Sequence, residues 1–418
     1  MALAVALAVP SLRVRAEELA HKTINNATDQ FILTKFTLGL GRGKGRSFKR
    51  QANILYKSLD VPGNDIFRHR LALNLVKYRN RAGWGHRDLL RVSHYKPSAK
   101  NNDLFAWATG KGPATHPILV GYEAASKVTT SQEACDLLKA NPSLPWEAFP
   151  TEVLSSKELW ELLLPNLGSS ALIRNLGRMS SLGITLEPYR SNIMDAAKSL
   201  HPVSALSAWK VYSQGRGQKG SLAWKVEKVI AETLEASFYL SFGTLKKSEA
   251  KVFFALDISG SMTCESTVAG LNCREVAAAM VMVAMRQQPY MVFGFSSSLI
   301  PLDIKDDWRL EQVIQYIARL QFGSTDASLP IRYCIANKIT DVDLFAVYTD
   351  NETNSSKSPS GFLSAYRNLN PNAKLATVAL QGGAFSIADP NDPGQVDFVG
   401  FDPSVPSVMV SLAEAKLV

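Results

Sequence analysis

Val252-Phe253-Phe254-Ala255-Leu256-Asp257-Ile258-Ser259-Gly260-Ser261 runs five apolar residues into a carboxylate, two hydroxyls and a glycine. A short unbroken run rich in β-branched and aromatic residues reads as a strand buried on both faces, the kind that parallel sheets contain. A long helical pattern follows at 273–286, so the polar end marks a tight strand-to-helix turn. Three hard oxygen donors on one such turn suit Mg²⁺, or another divalent cation of that kind, better than zinc.

Outward from this stretch, strand patterns at 252–256, 290–295, 344–348 and 375–380 alternate with helical patterns at 273–286, 308–320, 329–337 and 362–369. That alternation calls for a parallel sheet covered on both faces. In such a sheet the strands end on one edge, where loops distant in sequence converge. Gly323-Ser324-Thr325-Asp326 lies between two helical patterns, and Tyr348-Thr349-Asp350-Asn351 closes the strand at 344–348. Asp257, Ser259, Ser261, Thr325 and Asp350 are therefore expected to face one ion. The set resembles the metal-ion-dependent adhesion site of von Willebrand factor type A domains, with all five positions filled. Capping of the next helix by Asp257 and Ser259 accounts for neither Thr325 nor Asp350. Asp326 is the competing ligand, or else the cap of a helix starting near Ala327.

Upstream the reading changes to helix after helix, for example at 131–139, 156–164, 169–179, 189–200 and 222–238, with apolar residues at spacings of three and four. Helices of this kind bury their stripes only against neighbours, as in stacked repeats. The opening residues 1–9 read as a core helix, with an inefficient signal peptide as the alternative. The passage from helices to sheet lies near Thr244 to Lys251, giving a helical-repeat module at 1–248 and a sheet domain at 249–418.

Charge follows the same division. The whole chain of 418 residues is +9, but residues 249–418 carry 12 Lys+Arg against 18 Asp+Glu. Residues 35–100 hold 16 Lys+Arg and 3 Asp+Glu, so nearly all of the positive excess is in one segment. It opens with Gly39-Leu40-Gly41-Arg42-Gly43-Lys44-Gly45-Arg46-Ser47-Phe48-Lys49-Arg50, in which glycines let the backbone bend while cations approach one polyanion. The absence of GxxxxGK[ST] and of a preceding strand argues against a nucleotide-binding P-loop. Two helical patterns follow. The first sets Phe67, Leu71, Leu75 and Tyr78 on one stripe and Arg70, Lys77 and Arg81 on another. The second, after Gly83-Trp84-Gly85, carries His86, Arg87 and Arg91, with Leu89, Leu90 and Val92 for burial. Cations on one face with Tyr56, Tyr78, Trp84 and Tyr95 nearby suit an RNA backbone and unstacked bases. The plain alternative is a solvated helix face or an acidic protein partner.

Composition narrows the classes further. No run approaches the ~20 apolar residues of a membrane span. Cys135, Cys264, Cys273 and Cys334 show no CxxC spacing, which argues against zinc and a disulfide scaffold and fits a reducing, cytoplasmic setting. The histidines form no catalytic pair, and the acidic cluster lacks the two metals common in phosphodiester displacement.

Several separated stretches carry a wider resemblance. They are Arg81-Ala82-Gly83-Trp84-Gly85-His86-Arg87-Asp88-Leu89-Leu90-Arg91, Leu144-Pro145-Trp146-Glu147, Leu172-Ile173-Arg174-Asn175-Leu176-Gly177-Arg178-Met179, and Gly215-Arg216-Gly217 with Leu222-Ala223-Trp224. In the sheet domain they are Asp257 to Met262, Thr349-Asp350-Asn351-Glu352-Thr353, Ile387-Ala388-Asp389-Pro390 and Gly400-Phe401-Asp402. Together they resemble the Ro ribonucleoprotein autoantigens, whose TROVE module is a ring of helical repeats closed by a von Willebrand A domain. The fold implied is α + α/β: a HEAT-like helical-repeat ring or partial ring followed by a doubly wound parallel sheet.

The resemblance implies a noncoding RNA-binding protein. Members hold small structured Y RNAs on the basic outer surface, thread single-stranded ends of misfolded RNAs through the hole, and tether an exoribonuclease. By position, Lys49, Arg50, His86, Arg87 and Arg91 fall in the Y RNA region; charge adds Lys44, Arg46, Arg79 and Arg81. Arg174 and Arg178 either line the hole or belong to a surface helix. Larger members have helices before the point equivalent to Met1, so the expectation is a shortened member, of bacterial or phage type, whose ring is smaller or open. The expected role is binding without turnover by a cytoplasmic monomer that acts as an RNA chaperone, scaffold or quality-control particle, with a partner's carboxylate completing the metal site. The alternative is a metal-dependent protein-interaction scaffold.

Overall fold

The strand expected at 252–256 forms as Val252–Asp257, with every residue buried, and five more strands build on it. The computed structural model describes residues 2–41, 43–218, 220–243, 245–266, 268, 270–320, 323–350, 358–381 and 387–417. Arg42, Thr244 and Asn351, Glu352 and Thr353 of the stretches quoted above lie outside them. The chain divides into two compact units, Met1–Leu167 and Gly168–Val418, so the helices between residues 169 and 240 group with the sheet.

The first unit is helical. Its helices are α1 (Ala2–Ala8), α2 (Arg13–Thr23), α3 (Ala27–Gly39), α4 (Arg46–Ala52), α5 (Ile54–Leu59), α6 (Asp65–Lys77), α7 (His86–Ser93), α8 (Asn102–Ala108), α9 (Pro117–Ala125), α10 (Ser131–Ala140) and α11 (Lys157–Leu163). Local chemistry starts several of them. Asn26 and Asn64 accept from the first free backbone N–H groups of α3 and α6, and Thr130 with Glu133 makes a reciprocal cap on α10. Leu71 and Leu75 are buried as their stripe predicts, while Phe67 and Tyr78 are half-buried. Between α6 and α7 the chain makes a hairpin, β1 (Asn80–Arg81) with β2 (Trp84–Gly85). Its two-residue turn holds Ala82 at φ 57° and Gly83 at φ 82°, the pair of positive angles that matches strand twist. Sequence periodicity alone does not reveal this element.

The second unit begins with α12 (Ser169–Ser181), α13 (Arg190–Lys198), α14 (Pro202–Ser213) and α15 (Lys228–Leu240). The helix expected at 222–238 starts only at Lys228. Trp224 N donates instead to Gly215 O at 2.9 Å, and Arg216 bridges Ala223, which holds the preceding residues extended.

The sheet comprises β3 (Val252–Asp257), β4 (Tyr290–Phe295), β5 (Leu299–Pro301), β6 (Leu344–Thr349), β7 (Lys374–Ala379) and β8 (Gln395–Val399), in the order β5-β4-β3-β6-β7-β8. All pairs are parallel except β4 with β5. The short β5 and the polar edge strand β8 go beyond the sequence reading, because neither is a contiguous apolar run. Helices α16 (Cys273–Ala284), α17 (Leu310–Ala318), α18 (Leu329–Ala336), α19 (Pro359–Tyr366) and α20 (Val405–Glu414) complete the unit. Phe253, Phe293 and Phe345 pack with Ile331, Leu363 and Tyr366 in one core, while α16 and α20 lie against β3, β6 and β7. The strand order reverses between β3 and β6, which opens a crevice at their carboxyl ends. Among the described residues no helix is long and apolar enough to cross a membrane.

Candidate functional site

Two charged regions of opposite sign stand out, one in each unit. In the first, α4 and α7 pack together, although some forty residues separate them in the chain. On α4, Phe48, Gln51 and Ala52 point inward and leave Arg46 and Arg50 exposed, with Lys49 half-buried. On α7, His86, Leu89, Leu90 and Ser93 point inward and leave Arg87 and Arg91 exposed. Each pair is four residues apart, hence on one helical face with a rise of about 6 Å. The sequence therefore supplies two short amphipathic helices whose packed apolar sides turn their arginines outward.

The surrounding groups orient this face. Arg50 pairs with Glu17 at 3.3 Å, and Ser47 donates to the same carboxylate. Gly85 starts α7, and its N–H donates to Asp88 Oδ2 at 3.1 Å. A side chain there would meet the Arg79 carbonyl at 2.9 Å, so only glycine lets the hairpin close. Arg79 is exposed, donates to the Tyr122 hydroxyl and lies 5.0 Å from the centre of its ring. Arg81 is exposed and donates to Asn80 O at 2.8 Å. Lys44 is exposed on the glycine-rich loop, which borders a cleft of about 490 Å³ that Arg13, Gly41, Gly43, Gly45 and Arg46 help to line.

His86 departs from its expected place on this surface. It is buried, with Nδ1 3.0 Å from the Tyr56 hydroxyl and Nε2 3.1 Å from Asn74 O. Phe31 meets the ring edge-on. Burial holds its pKa down at about 4, so the neutral imidazole is the form that packs here. Tyr56 is likewise fully buried and offers no face to a base. Tyr95 donates to Asp60 at 3.0 Å. Of the expected aromatics, Tyr78 and Trp84 remain half-exposed. His86 sits at the first position of α7, facing α3 and α5, and that packing decides its role.

The second region lies at the carboxyl ends of β4, β3 and β6. Asp257 ends β3 with 1% exposure. Its Oδ1 accepts from Ser259 N at 2.8 Å, and its Oδ2 accepts from Thr349 Oγ1 at 2.9 Å. The hydroxyls of Ser259 and Ser261 are 3.0 Å apart. Asp350 follows β6, 5% exposed, across the switch point from Asp257. The loop of Thr325, a residue 2% exposed, is tied to the end of β4, where Asp326 N donates to Ser296 O at 3.0 Å. Topology thus brings all three segments to one edge. Asp326 accepts from Ser328 N at 3.0 Å and from its hydroxyl at 2.6 Å in the turn that leads into α18, and pairs with Arg332 at 3.3 Å. Two contributors escape sequence reasoning. Thr349 is one; Arg274, buried behind the turn and donating to Ser259 O at 3.4 Å, is the other. A hydroxyl residue just before a strand-terminal carboxylate is the signal that points to Thr349.

Burial raises the Asp257 pKa to about 6, and the charge of Asp350 pushes the same way against the hydrogen bonds from Ser259 and Thr349. Two buried carboxylates that repel each other fit a cation between them. Among the described residues no three His, Cys, Asp or Glu side chains converge as a metal cluster; the donors here are two carboxylates supplemented by hydroxyls. Such oxygen donors fit a hard divalent ion such as Mg²⁺.

Residues 251–413 match the family model of the Ro60 vWA domain. The chain is 34% identical over 397 residues to the RNA-binding protein RO60 of Deinococcus radiodurans, covering 90% of this chain and 73% of that protein. It is 31% identical over 438 residues to the RNA-binding protein RO60 of Caenorhabditis elegans, covering 90% and 67%. The chain belongs to the Ro60 family. Its fold also matches the crystal structure of the Deinococcus radiodurans RO (RSR) protein with a TM-score of 0.75 at 31% identity, over all of this chain and 87% of that one.

Two further stretches shared with the Ro60 resemblance meet in space. Trp224 lies against α12, where a side chain at Gly177 would meet its ring at 2.7 Å. Its Nε1 donates to Tyr212 O at 3.0 Å. Beside it, α12 and α14 border a groove of about 670 Å³ that includes Arg174 and Arg178. Arg174 is exposed and Arg178 half-exposed, so both face a concave surface.

Proposed function

We propose that this Ro60-family chain binds RNA, with the outward arginines of α4 and α7 as the main contact. The observation that carries this reading is that α4 and α7 pack together and leave Arg46, Arg50, Arg87 and Arg91 exposed, in a chain whose relatives are RNA-binding proteins by name. Lysine and arginine neutralise phosphates and release counterions. The RNA class that suits this face is a small structured noncoding RNA, Y RNA-like, because a folded RNA presents rows of phosphates to exposed cations. Arg174 and Arg178 provide a second basic region for single-stranded ends of misfolded RNAs. In this reading the chain works as a monomeric cytoplasmic scaffold or chaperone in RNA quality control and hands RNA to an exoribonuclease, with no turnover of its own.

At the sheet edge, Asp257, Ser259, Ser261, Thr325 and Asp350 would hold Mg²⁺. A bound ion there supplies a coordination position for a partner's carboxylate. The protein residues hold the turn: Ser259 N and Thr349 Oγ1 orient the Asp257 carboxylate, and Arg274 fixes the Ser259 carbonyl. The buried pair of carboxylates also supports a second reading, a metal-dependent protein-interaction scaffold in which the helices serve as support.

Purification of the full chain at low salt, followed by sequencing of retained nucleic acid and a salt titration, separates the two. Small RNAs that are released as salt rises support the first. A preparation free of nucleic acid that binds a protein only with Mg²⁺ supports the second and overturns the first.

A further inference from the structure

Cys264 and Cys273 carry no role in either reading, yet they are the two cysteines that face each other. Their Sγ atoms are 3.4 Å apart, and all four cysteines of the chain are free thiols. The two sit on facing positions of a short antiparallel ladder, since Glu265 bridges Asn272 and Cys273 N donates to Cys264 O at 3.1 Å. Cross-strand neighbours at this spacing reach disulfide bonding distance by a sulfur shift of about 1.4 Å, which side-chain rotation provides.

The pair is also joined to the serine turn from both sides. Cys264 N donates to Ser261 O at 2.9 Å, and Arg274, the neighbour of Cys273, donates to Ser259 O at 3.4 Å. Access is asymmetric: Cys264 is half-exposed, whereas Cys273 is fully buried at the start of α16. Gln381 Nε2 lies 3.0 Å from Cys264 Sγ and donates to it. Burial, followed by the contact with Cys264, raises the Cys273 thiol well above its ordinary range.

We propose that Cys264 and Cys273 are a peroxide-responsive thiol pair whose disulfide pins the Ser259 to Ser261 turn to the start of α16. Cys264 Sγ attacks hydrogen peroxide, the O–O bond breaks, and the products are a sulfenic acid and one water. Cys273 Sγ then attacks Cys264 Sγ; the S–O bond breaks and hydroxide leaves with the Cys273 proton as a second water. Two thiols lose two electrons in all, and peroxide takes both. Disulfides inside a reducing compartment are typically transient and sensing, and thiol reductants reverse this one. Packing of two small apolar side chains is the alternative, and it forms no bond.

The test uses the full reduced chain treated with hydrogen peroxide, alkylated and digested with trypsin. No Lys or Arg separates the two cysteines, so both fall in peptide 252–274. The expected result is loss of two of the four alkylatable thiols, that peptide lighter by two hydrogen atoms, reversal by dithiothreitol, and slower amide exchange at 259–264. In Cys264→Ser and Cys273→Ala the lighter peptide disappears. The proposal is overturned if Cys264 gathers oxygen atoms while Cys273 still alkylates, if the bond links two chains, or if both thiols persist. None of these readouts involves metal or RNA, so a failure here is distinct from a failure of the functional reading.

Discussion

On α4 and α7 the charged groups stand in solvent, Arg46, Arg50, Arg87 and Arg91 on two outward faces, whereas at the end of β3 the Asp257 carboxylate is 1% exposed beside the buried Asp350. Exposed cations cost little to hold, act in number and weaken with salt. A buried carboxylate pair is costly unless something neutralises it, and it responds to one ion rather than to ionic strength. The first arrangement suits a long polyanion. The second suits a single hard cation and a single partner group.

The sharpest way to break this contrast is Asp257→Ala. Mg²⁺ binding, measured by calorimetry, is expected to vanish while RNA affinity changes by less than about twofold, because sites without shared partners act independently and these lie in separate compact units. Parallel loss of both would erase the division of labour. Next in size is the combined replacement of Lys49, Arg50, Arg87 and Arg91 by Ala. RNA affinity should fall by about a hundredfold or more, and the log–log salt slope should become shallower by about 3, since each lost phosphate contact removes about 0.9 or less. An unchanged slope would remove this face from the mechanism.

His86 sharpens the comparison from within the basic unit, as a basic residue that packing has taken out of service. Its pKa is about 4 when folded and about 6.5 when unfolded. The unfolded state therefore binds the extra proton between those values, and stability falls as pH drops through that window. The loss totals about 3 kcal/mol. Denaturant titrations from pH 7 to 4 should show it in the native chain and much less of it in His86→Gln. The smallest effect is expected for Asp326→Ala, which removes the hydrogen bonds that hold the turn before α18. A cost of about 1 kcal/mol in thermal stability with unchanged Mg²⁺ affinity would keep Asp326 structural; weakened Mg²⁺ binding would return it to the ligand set.

Much of the sheet was legible because strands buried on both faces need contiguous apolar runs, as at 252–256 and 344–348, and those runs end at the carboxylates that matter. Strand β8 was not, since an edge strand such as Gln395–Val399 is only partly buried and needs no such run. The start of α15 is not legible because Leu222, Val226 and Ile230 keep a four-residue apolar spacing, yet Trp224 is drawn onto Gly177 of α12. Asp326 stayed ambiguous between ligand and cap, because one short carboxylate after a loop serves either purpose until its neighbours are known.

By itself the sequence determined the chemistry available: a carboxylate-and-hydroxyl turn after a strand, a cationic segment confined to residues 35–100, and helices upstream of a parallel sheet. Those properties are local, set by side-chain type and by periods of two or 3.6 residues. Tertiary structure alone decided which of these groups act together. It joined α4 to α7, sent His86 and Tyr56 inward, gave Thr349 to Asp257 and set Cys264 against Cys273. Each of these pairings links residues separated in the chain, and burial against a particular neighbour, which no local pattern encodes, selects the partner.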